Sequence, residues 1–172
     1  MTMSENANAT LDSFMAAAIA MEEEAAHRYE EFADAMEMHN NREVAEMFRK
    51  LAVVEGRHAE ELLAQRGWTT VPLVPRIEFE GNEGPETADT LAVHYLMTPW
   101  HALELALVNE ERAVRFFAHL AATTSDENVR QAALEFKAEE EEHVALVKAW
   151  MERVERPAKD WAVDPDPPRL VD

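Results

Sequence analysis

The chain of 172 residues contains no cysteine, and this absence removes several classes of function. Disulfide bonds, thiolate zinc sites, iron–sulfur clusters and a cysteine nucleophile are all excluded. Glycine is also scarce, with four residues, whereas alanine, glutamate and leucine are abundant, which is a helix-forming composition. A chain of this length can bury a core of its own without disulfides as staples. We therefore expect one mainly helical domain.

Basic residues and long apolar runs are lacking as well. The chain has 16 lysines and arginines against 35 aspartates and glutamates, for a formal net charge of −19. Such a charge disfavours nucleic acids and anionic membranes as partners. The longest nearly apolar stretch, Phe14 to Met21, is too short to span a bilayer. The first residues have neither the basic nor the apolar region of a signal peptide, so we expect a soluble cytoplasmic protein.

Four long segments repeat apolar residues at the three- and four-residue spacing of one helix face. They run from about Leu11 to His39, from Arg42 to Arg66, from Pro99 to Ala122 and from Asp126 to Val154. The pattern therefore predicts four helices that each bury one side.

The segment between the second and third predicted helices breaks this pattern. Gly67 is placed to end the second helix as a C′ residue, and the prolines and glycines that follow it exclude one continuous helix. Within this segment, Ala88 to Met97 can form a short helix. Thr98 followed by Pro99 is typical of an N-cap with proline at the first helical position.

Two helix hairpins joined by a crossover of about thirty residues are the connectivity of an all-α, ferritin-like four-helix bundle. We assign residues 1–156 to this domain and residues 157–172 to a proline-rich C-terminal tail. The chain also carries more aromatic surface than one core obviously needs, which favours a homodimer, and the crossover could exchange helices between subunits. These aromatic residues are Trp100, Phe116, Trp150 and Trp161.

Two of the helices carry a glutamate three residues before a histidine. The second predicted helix has Glu55 and His58, and the fourth has Glu140 and His143. Residues at this spacing lie one turn apart on the same side of a helix, so each pair can reach one point in space. The two pairs are separated by the same offset, since 140 − 55 and 143 − 58 both equal 85. The offset indicates a faint internal repeat between the hairpins.

The first and third helices each place a lone glutamate on an apolar stripe. Glu22 and Glu110 are separated by 110 − 22 = 88 residues, and the same offset places Ala25 on Ala113. The difference of three residues from the other offset fits a shorter turn in the second hairpin. The repeat thus aligns the most unusual residues of all four helices.

A third Glu-x-x-His pair, Glu24 with His27, serves as an internal control. Its helical neighbours Ala20, Glu31 and Asp34 are mostly polar, so we assign it to a solvated face. The other two pairs lie among apolar residues, although each alone could be an ordinary buried Glu–His or Glu–Arg hydrogen-bonded pair.

Neighbouring acidic residues compete for the same role. Glu23 and Glu111 lie on more polar faces, and we interpret both as peripheral. The run from Glu139 to Glu142 is mostly solvated, and within it only Glu140 shares the face of His143.

The selected carboxylates and imidazoles predict a site for two metal ions. A buried ionised carboxylate is costly unless it is paired or bound to a metal, and four carboxylates balance two divalent cations. Mixed carboxylate and imidazole ligands suit iron or manganese, with zinc a common substitute. We predict two iron ions, which manganese or zinc could replace in a purified sample. The predicted ligands are Glu22, Glu55, His58, Glu110, Glu140 and His143.

In the order of these residues the chain resembles the rubrerythrin and bacterioferritin branch of the ferritin-like di-iron carboxylate proteins. The stretch Glu22-Glu-Glu-Ala-Ala-His-Arg-Tyr29-Glu-Glu-Phe-Ala33 is similar to the first rubrerythrin helix, and Glu110-Glu-Arg-Ala-Val-Arg-Phe-Phe117 is similar to the third. The resemblance spans about Leu11 to Val154.

The resemblance assigns a role to each residue. It implies that Glu55 and Glu140 bridge the metals, that Glu22 and Glu110 are terminal ligands, and that His58 and His143 each hold one metal. It further implies that Tyr29 donates a hydrogen bond to a ligand carboxylate, although a core aromatic with a satisfied hydroxyl is an equal alternative.

Two departures from rubrerythrins affect the expected activity. Typical members append a four-cysteine iron domain that supplies electrons, and this chain has no cysteine. They also carry an extra glutamate three residues after the third-helix ligand, where this chain has Ala113. Electrons would therefore have to come from a separate partner, and peroxidase activity of the full rubrerythrin type is in doubt.

Three functions remain open from the sequence. The first is a rubrerythrin-like oxidoreductase whose di-iron centre reacts with dioxygen or hydrogen peroxide. The second is a ferroxidase or iron-handling subunit, which needs a cage or a partner shell. The third is a non-catalytic, metal-stabilised helical bundle that acts through protein contacts.

Overall fold

Four α-helices account for most of the residues that the computed structural model describes, which are 3–73 and 94–163. They are α1 (Met3–Met38), α2 (Arg42–Arg66), α3 (Pro99–Thr123) and α4 (Glu127–Met151), and these ranges contain no strand. In chain order, α1 packs along α2 and α3 along α4, while α2–α3 and α1–α4 contacts join the two hairpins. The predicted all-α, ferritin-like bundle of two hairpins is confirmed.

The helix ends follow from local side-chain chemistry. Gly67 adopts a φ of 68° after α2 and donates its N–H to Ala64, so the predicted C′ glycine is confirmed. Thr98 precedes Pro99 at the start of α3, and its backbone N–H donates to Nδ1 of His101 at 3.1 Å. These capping residues fix where α2 ends and where α3 begins, and so fix the position of each glutamate relative to the end of its helix.

Helix α1 begins at Met3, eight residues before the apolar stripe that predicts it. The periodicity could not detect these turns because it registers only residues that alternate between core and solvent. Extending an existing helix fixes one residue at a time and avoids the cost of nucleation. Helix α4 ends at Met151, slightly before the predicted Val154.

The core consists of two apolar clusters at opposite ends of the bundle. The first is built around Phe32, Phe48 and Leu103, and the second around Phe14 and Phe136. Burying an aromatic or aliphatic side chain of this size contributes about 1.5–3 kcal/mol each. The two clusters clamp all four helices at both ends and so fix the geometry of the layer between them.

The predicted ligands occupy that middle layer. Along α1, Glu22 lies between residues of the second cluster and residues of the first, and Glu110 lies between the clusters in the same way on α3. The pairs on α2 and α4 also fall between the clusters. The six predicted ligands thus share one layer with an apolar cluster on either side.

The segment after α4 packs against the bundle. Trp161 stacks on His101 with a centroid distance of 3.8 Å, and Arg156 lies over Trp100 at 4.6 Å. Two of the aromatic residues that favour a homodimer therefore find partners within the chain. The homodimer itself remains a prediction, as does the boundary between the domain and its tail.

The short helix predicted from Ala88 to Met97 falls mainly on residues 88–93, which lie outside the described residues. The four residues that follow, His94 to Met97, form a turn. Within the described part of the chain, no helix is both long and apolar enough to cross a membrane. The cytoplasmic location stays a prediction.

Candidate metal centre

Four glutamates, one from each helix, are buried in the middle layer of the bundle. Glu22 and Glu140 are 1% exposed, Glu55 is 3% exposed and Glu110 is 5% exposed. Each lies on the inward stripe of its helix, where the three- and four-residue spacing carries it between apolar neighbours. The carboxylates are therefore removed from water, and their charges must be compensated within the protein.

The imidazole of His143 lies among three of these carboxylates. Its Nδ1 atom is 3.8 Å from Glu55 Oε2, 3.6 Å from Glu110 Oε2 and 3.6 Å from Glu140 Oε2. Because residues 140 and 143 lie one turn apart on α4, the helix itself sets the last of these contacts. His143 thus faces the site with the nitrogen that is nearest to its backbone.

His58 faces the site from the opposite hairpin in the same orientation. Its Nδ1 lies 3.2 Å from Glu22 Oε1. Its ring centroid is 5.2 Å from that of His143. On its other side, Nε2 lies 2.8 Å from Glu139 Oε2. A carboxylate accepts hydrogen bonds, so Nε2 is the donor in this contact and Nδ1 is the nitrogen that faces the interior.

The pKa values of the side chains in this layer are set by burial and by the charges of their neighbours. Burial raises the pKa of Glu55, and it raises the pKa of Glu110 well above its ordinary value. Burial also opposes ionisation of Glu140, yet the neighbouring side chains of His143 and Glu110 hold its pKa below the ordinary value. Burial would lower the pKa of His143, but Glu110 and Glu140 raise it to about 11. In the absence of metal, a proton on His143 supplies the positive charge.

Several buried polar atoms of the layer make no hydrogen bond within the described residues. They are Nδ1 of His58, Nδ1 of His143 and both carboxylate oxygens of Glu140. Buried polar atoms in proteins are almost always hydrogen-bonded, so this concentration calls for an explanation. Nitrogen and oxygen atoms that gather around one point without hydrogen-bond partners are the arrangement that the ligands of a cation present. The donor set therefore fits divalent metal ions.

Two overlapping groups of side chains are close enough to hold a metal ion. One consists of Glu55, Glu110 and His143, and the other of His58, Glu140 and His143, with ligand atoms that lie within 4.8 Å of one another. Glu22 joins them through its contact with His58. The structure thus brings together all six residues that the sequence selects. Their role as metal ligands remains a prediction.

Tyr29 lies beside this layer and is 3% exposed. Its ring stacks on Phe48 at a centroid distance of 6.1 Å, and its hydroxyl lies 3.5 Å from Nδ2 of Asn109. Asn109 is buried and directly precedes Glu110, and sequence reasoning did not select it. The only sequence signal is a lone amide next to a ligand. The predicted role of Tyr29 as a donor to a carboxylate remains a prediction.

Glu139 is a second residue that sequence reasoning missed. We expected it to belong to a solvated run, and its side chain is indeed 39% exposed, but one oxygen reaches the buried His58. Helix periodicity could not reveal this contact because it compares residues within one helix, whereas Glu139 reaches across from α4 to α2. Its position directly before Glu140 is the one local signal.

The control pair lies where the sequence predicts. His27 is 76% exposed and approaches Glu31 at 3.5 Å, while Glu24 is 61% exposed and accepts a hydrogen bond from Arg28. The same Glu-x-x-His spacing therefore exists both in solvent and in the buried layer. Burial, and not spacing alone, distinguishes the candidate ligands.

Comparison with known proteins agrees with this geometry. A family model described as Rubrerythrin matches residues 13–151, which include all four glutamates and both histidines of the buried layer. The chain is also similar to an uncharacterized conserved protein from Magnetospirillum magnetotacticum MS-1 whose crystal structure was determined at 2.00 Å resolution. The two share 38% identity over 84% of this chain and 95% of that chain, with a TM-score of 0.57. No protein with a curated description matches the chain.

The matched region covers the candidate centre together with the helices that carry it. The chain belongs to the rubrerythrin family.

Proposed function

We propose that the protein binds a dinuclear iron centre in its buried layer and uses it for redox chemistry with dioxygen or hydrogen peroxide. On the pattern of the family, Glu55 and Glu140 would each hold both metal ions. The position that we call the His58 position adds Glu22 and His58, and the position that we call the His143 position adds Glu110 and His143. Family membership supports this division of the ligands.

One observation carries the proposal: four carboxylates and two imidazole nitrogens meet in a layer closed by apolar clusters at both ends. A purely structural network would pair these groups with hydrogen-bond donors, since unpaired buried charges are costly. Both oxygens of Glu140 instead make no hydrogen bond within the described residues. Two bound cations would offset the cost of burying these carboxylates, whereas contacts among the carboxylates themselves would not.

The residues of the chain would bind the metal ions, orient the ligand side chains and shield the centre from bulk water. When bound, a pair of iron ions supplies electrons to the oxidant and stabilises negative charge. The apolar clusters exclude bulk water and strengthen every electrostatic interaction between them. Glu139 holds the proton of His58 at Nε2 and so fixes the tautomer that can coordinate.

A second function, oxidation of ferrous ions for iron handling, is favoured by Ala113. This residue is fully buried one turn after Glu110, where rubrerythrins carry an additional glutamate. Its methyl group cannot serve as an alternative ligand, so a change of ligands during peroxide reduction is not available at this position. Ferrous ions arriving as substrate would also need no electron donor.

For the first function we propose a separate donor protein and a homodimeric assembly.

Anaerobic loading with ferrous ions followed by addition of dioxygen, or of hydrogen peroxide, tests the proposal. We expect about two iron ions per chain and a ferric absorption band that develops after the oxidant is added. Glu140→Gln should abolish the band, because it removes a bridging carboxylate. Glu24→Gln is the matched control, since it alters the solvent-exposed Glu-x-x-His pair and should leave the band unchanged.

The two functions differ in how the oxidised centre behaves. Iron handling predicts that each further addition of ferrous ions is oxidised and that the protein assembles into a cage or binds to one. A redox enzyme stops after one turnover until a donor reduces it. Binding of two metal ions without any reaction would leave the non-catalytic, metal-stabilised bundle, and absence of metal binding would overturn the proposal.

A further inference from the structure

The internal repeat that aligns the ligands does not align the residues beside them. An offset of 85 places Glu55 on Glu140 and His58 on His143, and the same offset places Val54 on Glu139, since 54 + 85 = 139. One half of the repeat thus carries a carboxylate directly before its bridging glutamate. The other half carries an isopropyl group.

On the α2 side, this carboxylate contacts a ligand histidine. Glu139 accepts a hydrogen bond from Nε2 of His58 at 2.8 Å, across the contact between α4 and α2. The side chain of His58 is only 10% exposed, whereas that of Glu139 is 39% exposed. A partly solvated carboxylate therefore orients a buried imidazole, and it makes the opposite nitrogen a better electron-pair donor.

His143, on α4, has no equivalent carboxylate partner at Nε2 among the described residues. All carboxylates within 4.0 Å of the His143 ring contact its Nδ1 atom, and among the described residues none lies against Nε2. Val54 occupies the equivalent position and is half-buried. A valine side chain offers no hydrogen-bond acceptor. The tautomer and orientation of His143 are therefore set only from the interior of the site.

The two metal positions are otherwise alike in the residue types that they contain. Each position has one terminal glutamate and one histidine, and both share Glu55 and Glu140. The exposed fractions of the two histidine side chains are similar, 10% for His58 and 15% for His143. The contact made by Glu139 therefore distinguishes the two positions through a residue that lies outside the six predicted ligands.

We propose that the two metal positions are inequivalent, with Glu139 as the positioning residue that makes the His58 position bind its divalent ion first. This inference rests on the proposed dinuclear centre. Carboxylate partners of metal-bound histidines typically contribute about 10–100-fold in metal affinity. The affinities of the two positions should therefore differ by about this factor, and metal should fill them in sequence.

Zinc titration of protein labelled with ¹⁵N-histidine tests the order of filling without any turnover. The imidazole nitrogen resonances of His58 and His143 are assigned with single His→Gln variants and followed as zinc is added. We expect one equivalent of zinc to shift the resonances of His58 and to leave those of His143 in place. The second equivalent should then shift those of His143.

Three variants separate positioning from general effects of charge. Glu139→Gln should weaken binding of the first zinc ion by about 10–100-fold and make the two histidines respond in parallel. Glu141→Gln is the control, because it removes the same charge from the exposed side of α4, where Lys137 is the one ion-pair partner of Glu141 among the described residues. It should leave the order of filling unchanged. Val54→Glu supplies the missing carboxylate and should bring the two affinities closer together.

Each outcome decides a different claim. Parallel shifts of both histidines in the unmodified protein, or earlier shifts of His143, would overturn the inference while the dinuclear centre stands. If no resonance of either histidine responds to several equivalents of zinc, both the inference and the dinuclear centre are wrong. Loss of ordered filling in Glu141→Gln would show that charge, and not the contact with His58, sets the order.

Discussion

His143 is the residue at which protonation and metal binding compete most directly. Its pKa in the folded, metal-free protein is raised from 6.5 to about 11 by the carboxylates around it. A raised folded pKa stabilises the fold fully below pH 6.5, and this stabilisation is lost as the pH rises towards 11. The raised pKa values of Glu55 and Glu110 act with the same sign at pH values above 4.5.

These shifts predict opposite effects of pH on the metal-free and metal-bound protein. The melting temperature of the metal-free protein should fall between pH 6.5 and about pH 11, because the unfolded chain releases the His143 proton in this range while the folded protein retains it. Metal displaces that proton, so zinc affinity, and with it the stabilisation by zinc, should rise with pH. Thermal melts with chelator and with zinc at several pH values provide the measurement. His143→Gln should flatten the metal-free slope.

A direct count of released protons gives an independent check. Zinc added to weakly buffered protein at neutral pH should release at least one proton per chain, measured with an indicator dye. Zinc binding with no proton release would contradict a protonated His143 in the metal-free state.

Tyr29 allows a test of whether its hydroxyl contributes to reactivity or only to packing. Tyr29→Phe keeps the ring stacked on Phe48 and removes the group that faces Asn109. The loss of one buried hydrogen bond should cost about 1 kcal/mol of the free energy of unfolding. If the hydroxyl serves the centre, the rate of ferric band formation should fall several-fold while two metals still bind. An unchanged rate would identify Tyr29 as a core aromatic.

At this scale, sequence predicts the residues that repeat and misses those that act across helices. Glu22, Glu55, Glu110 and Glu140 were found because burial forces them onto apolar stripes that periodicity reveals. Glu139 could not be found in this way, because its contact depends on the distance and rotation between α4 and α2. Such parameters arise from packing in three dimensions and leave no trace in the spacing of one helix.

Among the helices, α2 contains a glycine with no evident structural need. Gly56 lies in the middle of α2 between the two ligands Glu55 and His58, and a Cβ atom added there would lie 3.8 Å from Cβ of Ala26, an ordinary van der Waals contact. Helix interiors favour alanine over glycine by about 0.5–1 kcal/mol. Gly56→Ala should therefore raise the free energy of unfolding by about this amount, measured by urea denaturation.

Gly67 provides the opposite case at the end of the same helix. Its φ of 68° lies in the left-handed region, where a side chain is strained even though no atom lies within 4 Å of an added Cβ. Gly67→Ala should lower the free energy of unfolding by about 1 kcal/mol, so the same substitution has opposite signs eleven residues apart. Equal effects at both positions would contradict this account of the helix and its end.

The bounds of a helix agree with the sequence where a residue with a strong backbone preference marks its end. The bounds of α2 and the first residue of α3 agree with the sequence because Gly67, Thr98 and Pro99 have strong backbone preferences. The extra turns at the start of α1 lacked such markers. The packing of Trp161 on His101 was also unpredictable, since it joins a turn after α4 to the first turn of α3.

Over the whole molecule, the centre links the two hairpins. Glu22, Glu55 and His58 come from the first hairpin, and the other three ligands come from the second. Metal ions bound there would therefore cross-link two units that otherwise meet along α2–α3 and α1–α4. Because the unfolded chain does not present these ligands together, the free energy of metal binding adds to that of folding.

This arrangement predicts a large thermal response to metal. Zinc at about 100 times its dissociation constant should add about 2.7 kcal/mol of stability, equivalent to about 5–10 °C in melting temperature for a chain of this size. Glu140→Gln should lose most of this gain, because it removes a carboxylate that is close to both candidate groups of ligands. His27→Gln is the control and should behave like the unmodified chain. Equal melting temperatures with zinc and with chelator would contradict a cross-link between the hairpins.

The proton held by His143 has a wider consequence for how the protein acquires its metal. A positive charge on His143 offsets the repulsion between the three carboxylates around it. We therefore expect these side chains to stay together before any metal binds. We therefore expect metal loading to exchange one cation for another, with no refolding step before it. The rate of uptake should accordingly be limited by access of the ion and departure of the proton.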